Sequence, residues 1–381
     1  MVKILDTTLR EGEQTPGVYF DNHIKLAIAR LIEKIGVDII ETGHPVVSEE
    51  IKKAVAQISN SNLNLLVGAH ARSLKKDVDL ALECGVNFLG IFFCVSEDRL
   101  KGVFNKTLIE AIDQITDIIK YAKEKNSHLL IRFTPEDTVR SEFSNVVKAS
   151  VAAVKSGADI ISIADTTGYM VPGVRSMYDY VKNLKQEFKN YGINPMVAVH
   201  CHNDKGLALA NALDAYRAGV DIIDASVLGL GERAGIVDLA QLLTVLRTEY
   251  NEDSRNLKFL PELYDLVSKH SNVNIVANFP IVGNNAFTHC AGVHTQAALK
   301  DPMHYQSLDP KIVGRESIIS LDHMSGMASI RYSLDKIDEK VDNRIAQKIL
   351  ARVKEVGHKG KVIDLEEFKH IVKWCKNGNN N

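Results

Sequence analysis

The stretch MVAVHCHND (196–204) opens as an apolar, β-rich run and closes on two histidines, an amide and an acid. Its apolar start suits a strand buried on both faces. In an extended segment residues two apart point the same way, so His200 and His202 aim at one point where the strand ends. The same arrangement recurs along the chain. Apolar runs beginning near Lys3, Val37, Leu63, Val86, His128, Asp159 and Val220 each lead into a polar loop, with helix-period stretches between them, as at 23–35, 108–123, 172–188 and 207–218. Pro172 suits a first helical position, where its missing N–H costs nothing. Strands alternating with helices imply parallel strands and right-handed crossovers.

Eight such units in about 250 residues predict an α/β fold, a (β/α)8 TIM barrel. An open doubly wound sheet could absorb eight units as well. The placement of polar residues separates the two. Asp6, Glu41, His70, Arg132, Asp165, His200 and His202 fall at or just past the C-terminal ends of the expected strands. In a barrel those positions converge on one mouth, whereas in an open sheet they are strung along an edge. After about residue 255 the rhythm changes. One more helix is expected at 260–270, then a segment at 278–322 rich in Asn, Gly, His and Pro, and helices near 327–336, 342–356 and 365–376, with a frayed polar tail at 377–381. The expected organisation is a catalytic barrel over 1–275 and a C-terminal helical extension over 276–381.

Hydrophobic residues make up 45% of the chain and charged residues 25%, an ordinary soluble balance. The formal charge of −2 is not gathered into basic stripes, so no nucleic-acid partner is expected. No run reaches the roughly 18 apolar residues of a membrane span, and no apolar core with a small-residue cleavage site follows Met1, so neither a membrane nor a signal peptide is expected. Cys84, Cys94, Cys201, Cys290 and Cys375 are odd in number and widely spaced. They fit the reduced thiols of a cytoplasmic protein better than a disulfide framework.

Five clusters carry candidate chemistry. After the first strand come Asp6, Arg10, Glu11 and Gln14, with Gly12 among them. Carboxylates beside an arginine can bind a metal and an anionic substrate together, or can pair internally in a solvated loop. His200 and His202 form the second cluster, and neutral imidazole is the commonest ligand of divalent transition metals. A lone His-x-His is weak; with the carboxylate cluster at another strand end it points to a metal site. The third is Arg132-Phe133-Thr134-Pro135-Glu136-Asp137, whose guanidinium can grip a carboxylate in bidentate fashion or close the rim as an internal ion pair. In the fourth, Asp165-Thr166-Thr167-Gly168, Thr166 can hydrogen-bond a substrate carboxylate and Asp165 can be a rim partner. The fifth, Gly229-Leu230-Gly231-Glu232-Arg233-Ala234-Gly235, permits close backbone approach to a ligand but lacks the Lys-Ser/Thr ending of a phosphate-binding loop. His44 and His70 follow the second and third strands and are either mouth residues or structural histidines.

Taken together, LDTTLREGEQ (5–14), IETGHPVVSEE (40–50), IRFTPEDTVRSE (131–142), IADTTG (163–168), VHCHNDKGLALANA (199–212), GLGERAG (229–235), NNAFTHCAGVH (284–294) and DPMHYQSLDP (301–310) resemble the acyl-CoA-condensing metalloenzymes that include homocitrate, isopropylmalate and citramalate synthases. The segments stand in family order over nearly the whole chain and most resemble homocitrate synthases. The resemblance implies a Claisen-type condensation of acetyl-CoA with a 2-oxo acid. It implies a divalent metal (Zn2+, Mn2+ or Mg2+) on Glu11, His200 and His202, and an acceptor bound by Arg10, Gln14, His44, His70, Arg132, Thr134 and Thr166. Arg10, His294 and Tyr305 would serve catalysis, the last two in a family that often supplies them from a partner subunit, hence a homodimer. Arg132 stands where homocitrate synthases place a cation for the distal carboxylate of 2-oxoglutarate, so 2-oxoglutarate is the first expectation. The alternatives are 2-oxoisovalerate, pyruvate, oxaloacetate and phosphonopyruvate. Ala198, Gly43-His44 and GERAG depart from the homocitrate pattern and keep those acceptors open. A 3-hydroxy-3-methylglutaryl-CoA-type lyase is the remaining alternative, disfavoured because no cysteine-bearing glycine-rich loop ends the barrel region. About 60 residues follow Asp322, too few for the regulatory domain of long isopropylmalate synthases.

Overall fold

β1 (Lys3–Asp6), β2 (Ile39–Glu41), β3 (Leu66–Arg72), β4 (Phe88–Cys94), β5 (Leu130–Glu136), β6 (Ile160–Asp165), β7 (Met196–Cys201) and β8 (Ile222–Ala225) close into a parallel barrel in chain order in the computed structural model. The structure describes residues 1–298 and 300–378, so the end of the tail expected to fray, 379–381, lies outside the described residues. The barrel follows from the alternation of buried strands and amphipathic helices. Helix Asn22–Ile35, for example, turns Ile28, Ala29, Leu31, Ile32 and Ile35 inward, the one-sided apolar stripe of a helix packed on a sheet.

β2 and β8 each begin two residues later than the apolar pattern implies, because Val37 and Val220 belong to helix ends. Gly36 takes φ 89° and Gly219 φ 85°, a left-handed turn that glycine adopts without strain. Val37 N–H then donates to Ile32 O, and Val220 N–H to Ala215 O. This is the Schellman closure, whose following residue is characteristically apolar and packed. Pro172 does not open a helix. Val171 pairs with Arg175 around it, and Ser176 caps helix Met177–Asn190 by accepting from the Asp179 amide.

The barrel interior has an apolar floor. Leu5, Ile39, Phe88, Ile160, Ala198 and Ile222 form one buried cluster with Leu66, Leu130 and Met196 packed against it, so all eight strands contribute. Phe88 fills the volume that a side chain at Gly68 would need, where an added Cβ would lie 2.6 Å from its ring. The Arg132 guanidinium rests above Phe88, 5.6 Å from the ring centroid. Apolar packing therefore ends, and charge begins, at the level of Arg132.

The chain divides into two compact units, Met1–Ile275 and Val276–Asn381. In the second, Thr288–His289 pairs in parallel with Ile318–Ile319. Helices Met327–Lys336, Asn343–Gly357 and Leu365–Lys376 enclose a core of Ile330, Leu334, Ile349, Val353, Phe368, Ile371 and Val372.

The N-terminal end of the barrel is tied by a buried charge group. Arg255 donates to Glu252 at 3.1 Å, to Asp38 at 3.0 Å and to the Val2 carbonyl at 2.6 Å, while Glu252 accepts from Val2 N–H and Tyr216 Oη. Removing one partner of a buried pair costs about 3–5 kcal/mol. Arg255→Ala is therefore expected to lower unfolding free energy by about 3 kcal/mol in urea titrations, with activity retained because this end of a barrel serves stability. A loss under about 1 kcal/mol would show that the group contributes no more than a surface pair does.

Candidate active site

Towards the C-terminal mouth, buried charges form a ring drawn from five strands or the loops after them, with Arg132 the third residue of β5 and so deeper than the strand end expected for it. Arg10 Nε donates to Glu41 Oε2 at 2.6 Å, and Arg132 Nη2 donates to Glu41 Oε1 at 2.9 Å. Arg132 Nη1 then bridges both oxygens of Asp224, each at 2.9 Å. Asp224 Oδ2 meets His200 Nδ1 at 3.0 Å, and His200 Nε2 comes within 4.0 Å of Glu11 Oε2. Arg10 Nη1 pairs with Glu11 and closes the ring. Burial alone would raise the Glu41 carboxyl, but Arg10, Arg132 and His70 hold it well below the ordinary carboxylate value. Glu41 and Asp224 are fully buried and Arg132 nearly so, a burial that only paired charge tolerates.

Glu11, His200 and His202 lie side by side on this ring, with one ligand atom from each within 4.8 Å of the others. His200 Nε2 and His202 Nε2 are 3.3 Å apart, and His202 Nε2 is 3.9 Å from Glu11 Oε1. Ligands about 2.1 Å from one cation stand at about these separations. With Nδ1–H donated to Asp224, His200 leaves its Nε2 lone pair free for coordination, the usual support of a metal-binding imidazole. Burial, and then His200, pushes His202 down to about 4, which leaves it neutral. Burial would raise Glu11, yet Arg10 with His200 and His202 draws it below the ordinary value. Glu11 also accepts the Glu232 N–H at 3.1 Å, and Gln14, its amide nitrogen turned inward, donates to both oxygens at 3.0 and 2.9 Å. One carboxylate and two imidazoles fit a divalent cation and leave coordination positions open for a ligand.

Arg10, Glu11, Gln14, His44, His70, Arg132, Thr134, Thr166, His200 and His202 line a single cavity. Several buried polar atoms among the described residues have no partner, and five of them belong to its lining: His70 Nδ1, Arg132 Nε, Thr134 Oγ1, Ser162 Oγ and His202 Nδ1. Such atoms are rare in folded proteins, and here five belong to residues around one cavity, which suits a polar ligand. Asp6 is not part of it. It accepts from Thr8 N–H and Oγ1, and burial pushes its carboxyl up to about 7. Asp165 likewise serves a turn, accepting from the Tyr169 and Met170 amides. His294 and Tyr305 are exposed residues of the second unit, their rings 4.3 Å apart.

The HMGL-like family matches residues 1–267, and the domain described as homocitrate synthase post-HMGL domain-like matches residues 281–361. A homocitrate synthase of Pyrococcus abyssi is 46% identical over 351 residues, covering 92% of this chain and 94% of that protein. Homocitrate synthase AksA of Methanocaldococcus jannaschii is 39% identical, covering 97% of this chain and 90% of its own length. The chain belongs to the HMGL-like family, in its homocitrate synthase branch. A 2-isopropylmalate synthase of Methanocaldococcus jannaschii is also similar, at 37% identity over 97% of this chain and 71% of that protein. Among solved structures, an HMG-CoA lyase of Bacillus subtilis superposes with a TM-score of 0.61 at 20% identity, covering 71% of this chain and 94% of the lyase. That likeness speaks for the fold alone.

Within this homocitrate synthase-family barrel, reasoning from sequence does not single out Asp224 and gives Glu41 no role. Both are acids at or near the end of apolar runs, IIDA and IIE, and that interruption is the signal that places Glu41 at the mouth and could have found Asp224. Part of the cavity wall is built from rings. His70 stacks on Phe92, centroids 4.8 Å apart and 14° between planes, and meets His44 edge-on at 4.9 Å. Burial, with Arg10 nearby, drives His44 down to about 4, and burial drives His70 well below the ordinary histidine value. A free histidine protonates near 6.5. As pH falls through that value, His44 is therefore expected to stay neutral until about 4. Long-range proton–nitrogen spectra of labelled imidazoles should show it; a His44 ring mostly protonated at pH 6 would refute the environment described.

Proposed function

We propose that the chain joins the acetyl group of acetyl-CoA to 2-oxoglutarate, giving homocitrate and CoA. The observation that carries this reading is the Glu11–His200–His202 trio set beside an unpaired polar lining, in a chain whose family includes homocitrate synthases. The trio holds a divalent cation, Zn2+, Mn2+ or Mg2+, whose Lewis acidity makes the acceptor's keto carbon electrophilic. Arg10, Gln14 and Thr166 bind the carboxylate end of the acceptor. Arg132 spends three hydrogen bonds on Asp224 and Glu41 and keeps Nε–H for the tail, with Thr134, His70 and His44 beside it. Arg10 also steadies Glu11 during the reaction. His294 and Tyr305 take part in the proton transfers, and the working form is a homodimer. Among the described residues no helix is long and apolar enough to cross a membrane, and free thiols at all five cysteines suit a reducing cytoplasm.

Within the ring, two arginines face three carboxylates, an excess of one negative charge, and Glu136 and Glu232 also line the cavity. A dianionic acceptor is repelled by that excess unless the trio carries a cation. The lesser reading is the same chemistry on an apolar 2-oxo acid, favoured by the 2-isopropylmalate synthase relative. The polar tail end of the cavity opposes it, because an apolar acceptor leaves buried donors unpaired.

CoA release from acetyl-CoA, measured across 2-oxoglutarate, oxaloacetate, 2-oxoisovalerate, pyruvate and phosphonopyruvate, is expected to be fastest with 2-oxoglutarate. It should stop on chelation and return with divalent metal. Preference for 2-oxoisovalerate would replace the proposed acceptor, and release unaffected by chelation would remove the metal from the reaction. Asp224→Asn is expected to weaken metal binding about 10–100-fold by titration calorimetry, the effect of disturbing a histidine's supporting carboxylate. Unchanged affinity would deny Asp224 that role.

A further inference from the structure

Glycine inside a strand has no side chain to pack and loses the most backbone freedom on folding. Gly90 lies within β4 without a left-handed φ, so backbone conformation does not account for it. Its neighbours do. In the barrel register it stands between His70 of β3 and Arg132 of β5. A Cβ at this position would lie 2.5 Å from His70 Cδ2, 3.2 Å from Glu41 Oε1 and 3.3 Å from His70 Nε2. The volume that a side chain would take is filled by the edge of the His70 imidazole. That ring is held on its face by Phe92 and at its edge by His44, and its Nδ1 is buried without a partner.

We propose that Gly90 is a specificity-determining positioning residue: its bare backbone lets the His70 ring lie across β4 into the acceptor cavity, and the two positions select 2-oxo acids with a polar, hydrogen-bonding tail. The proposal rests on the reading of this cavity as the acceptor site. Gly90 contacts no substrate and acts through His70. The nearest atoms to an added Cβ are the outer parts of two side chains, not backbone, so Gly90→Ala is expected to fold and to displace the ring. Glu41 is the second neighbour, and it holds Arg10 and Arg132. A disturbance passing through Glu41 would lower kcat and would persist without His70.

The test is steady-state kinetics of the metal-loaded enzyme with its best acceptor, for the wild type, Gly90→Ala, His70→Ala and the double variant. Gly90→Ala should raise the acceptor KM about ten- to a hundredfold, the range to which overpacking energies convert, with kcat much less affected. In the His70→Ala background the same substitution should change KM by less than about twofold, because coupled positions are not additive. If Gly90→Ala alone proves insoluble, its rescue by His70→Ala supports the same coupling, and failure of the rescue overturns it. An unaltered KM in Gly90→Ala, or an effect undiminished in the double variant, overturns the proposal and leaves the acceptor site standing. An unaltered KM in His70→Ala removes His70 from the acceptor site, and the proposal goes with it.

Discussion

The ring Glu11–Arg10–Glu41–Arg132–Asp224–His200 is the constraint on which the mouth of the barrel depends. Each of its charges is buried, and an unpaired buried charge costs far more than a domain's net stability can spare. Every member must therefore hold its partner. The partners come from the loop after β1 and from β2, β5, β7 and β8, so pairing fixes the relative heights of strands that are not all adjacent in the sheet. One carboxylate, Asp224, serves both the His200 imidazole of the Glu11–His200–His202 trio and the Arg132 guanidinium. The two ends of the site cannot shift independently.

Beneath the ring, all eight strands contribute to the apolar floor around Phe88. The floor gains stability from burial, about 25 cal/mol per Å2 of apolar surface, whereas the ring sacrifices some of it to desolvation. The two layers meet where Arg132 lies over Phe88. Gly68 makes room for Phe88 below, and Gly90 makes room for His70 above. In each case a residue without a side chain lets a neighbouring strand's ring fill the interior.

Much of this is legible in the sequence, for a definite physical reason. A buried parallel strand reads as an apolar run, and a functional mouth reads as polar residues interrupting it at one end. Arg10, Glu11, His200, His202 and Arg132 all carry that signature, and all reach one cavity. Helix 327–336 is likewise visible from its periodicity. What sequence does not reveal is pairing across the barrel. Nothing near IIDA says that Asp224 faces an arginine 92 positions away, and Asp6 shows the same pattern yet turns to Thr8. Gly90 reads as a routine small residue because its meaning lies in a ring on another strand. The late strand starts have a local cause, since an apolar residue behind a helix-ending glycine looks like the first residue of a strand.

On the proposed reading of the cavity as the acceptor site, selectivity for the acceptor's tail would follow from what the cavity leaves unsatisfied more than from net attraction. Arg132 is the nearest full positive charge, but Glu41 and Asp224 already take three of its hydrogen bonds, and the imidazoles beside it are held neutral. Long-range attraction for a tail carboxylate is correspondingly weak. Arg132 Nε, His70 Nδ1 and Thr134 Oγ1 are instead buried atoms with nothing to bond. A tail that reaches them repays a desolvation cost already incurred on folding. An apolar tail of similar size recovers none of that cost, and a site built to hydrogen-bond its ligand rejects such an analogue more strongly than an apolar pocket rejects a missing methylene. His44 is one departure that lines this wall, whereas Ala198 packs in the apolar floor below it, and the unpaired donors and acceptors beside His44 remain.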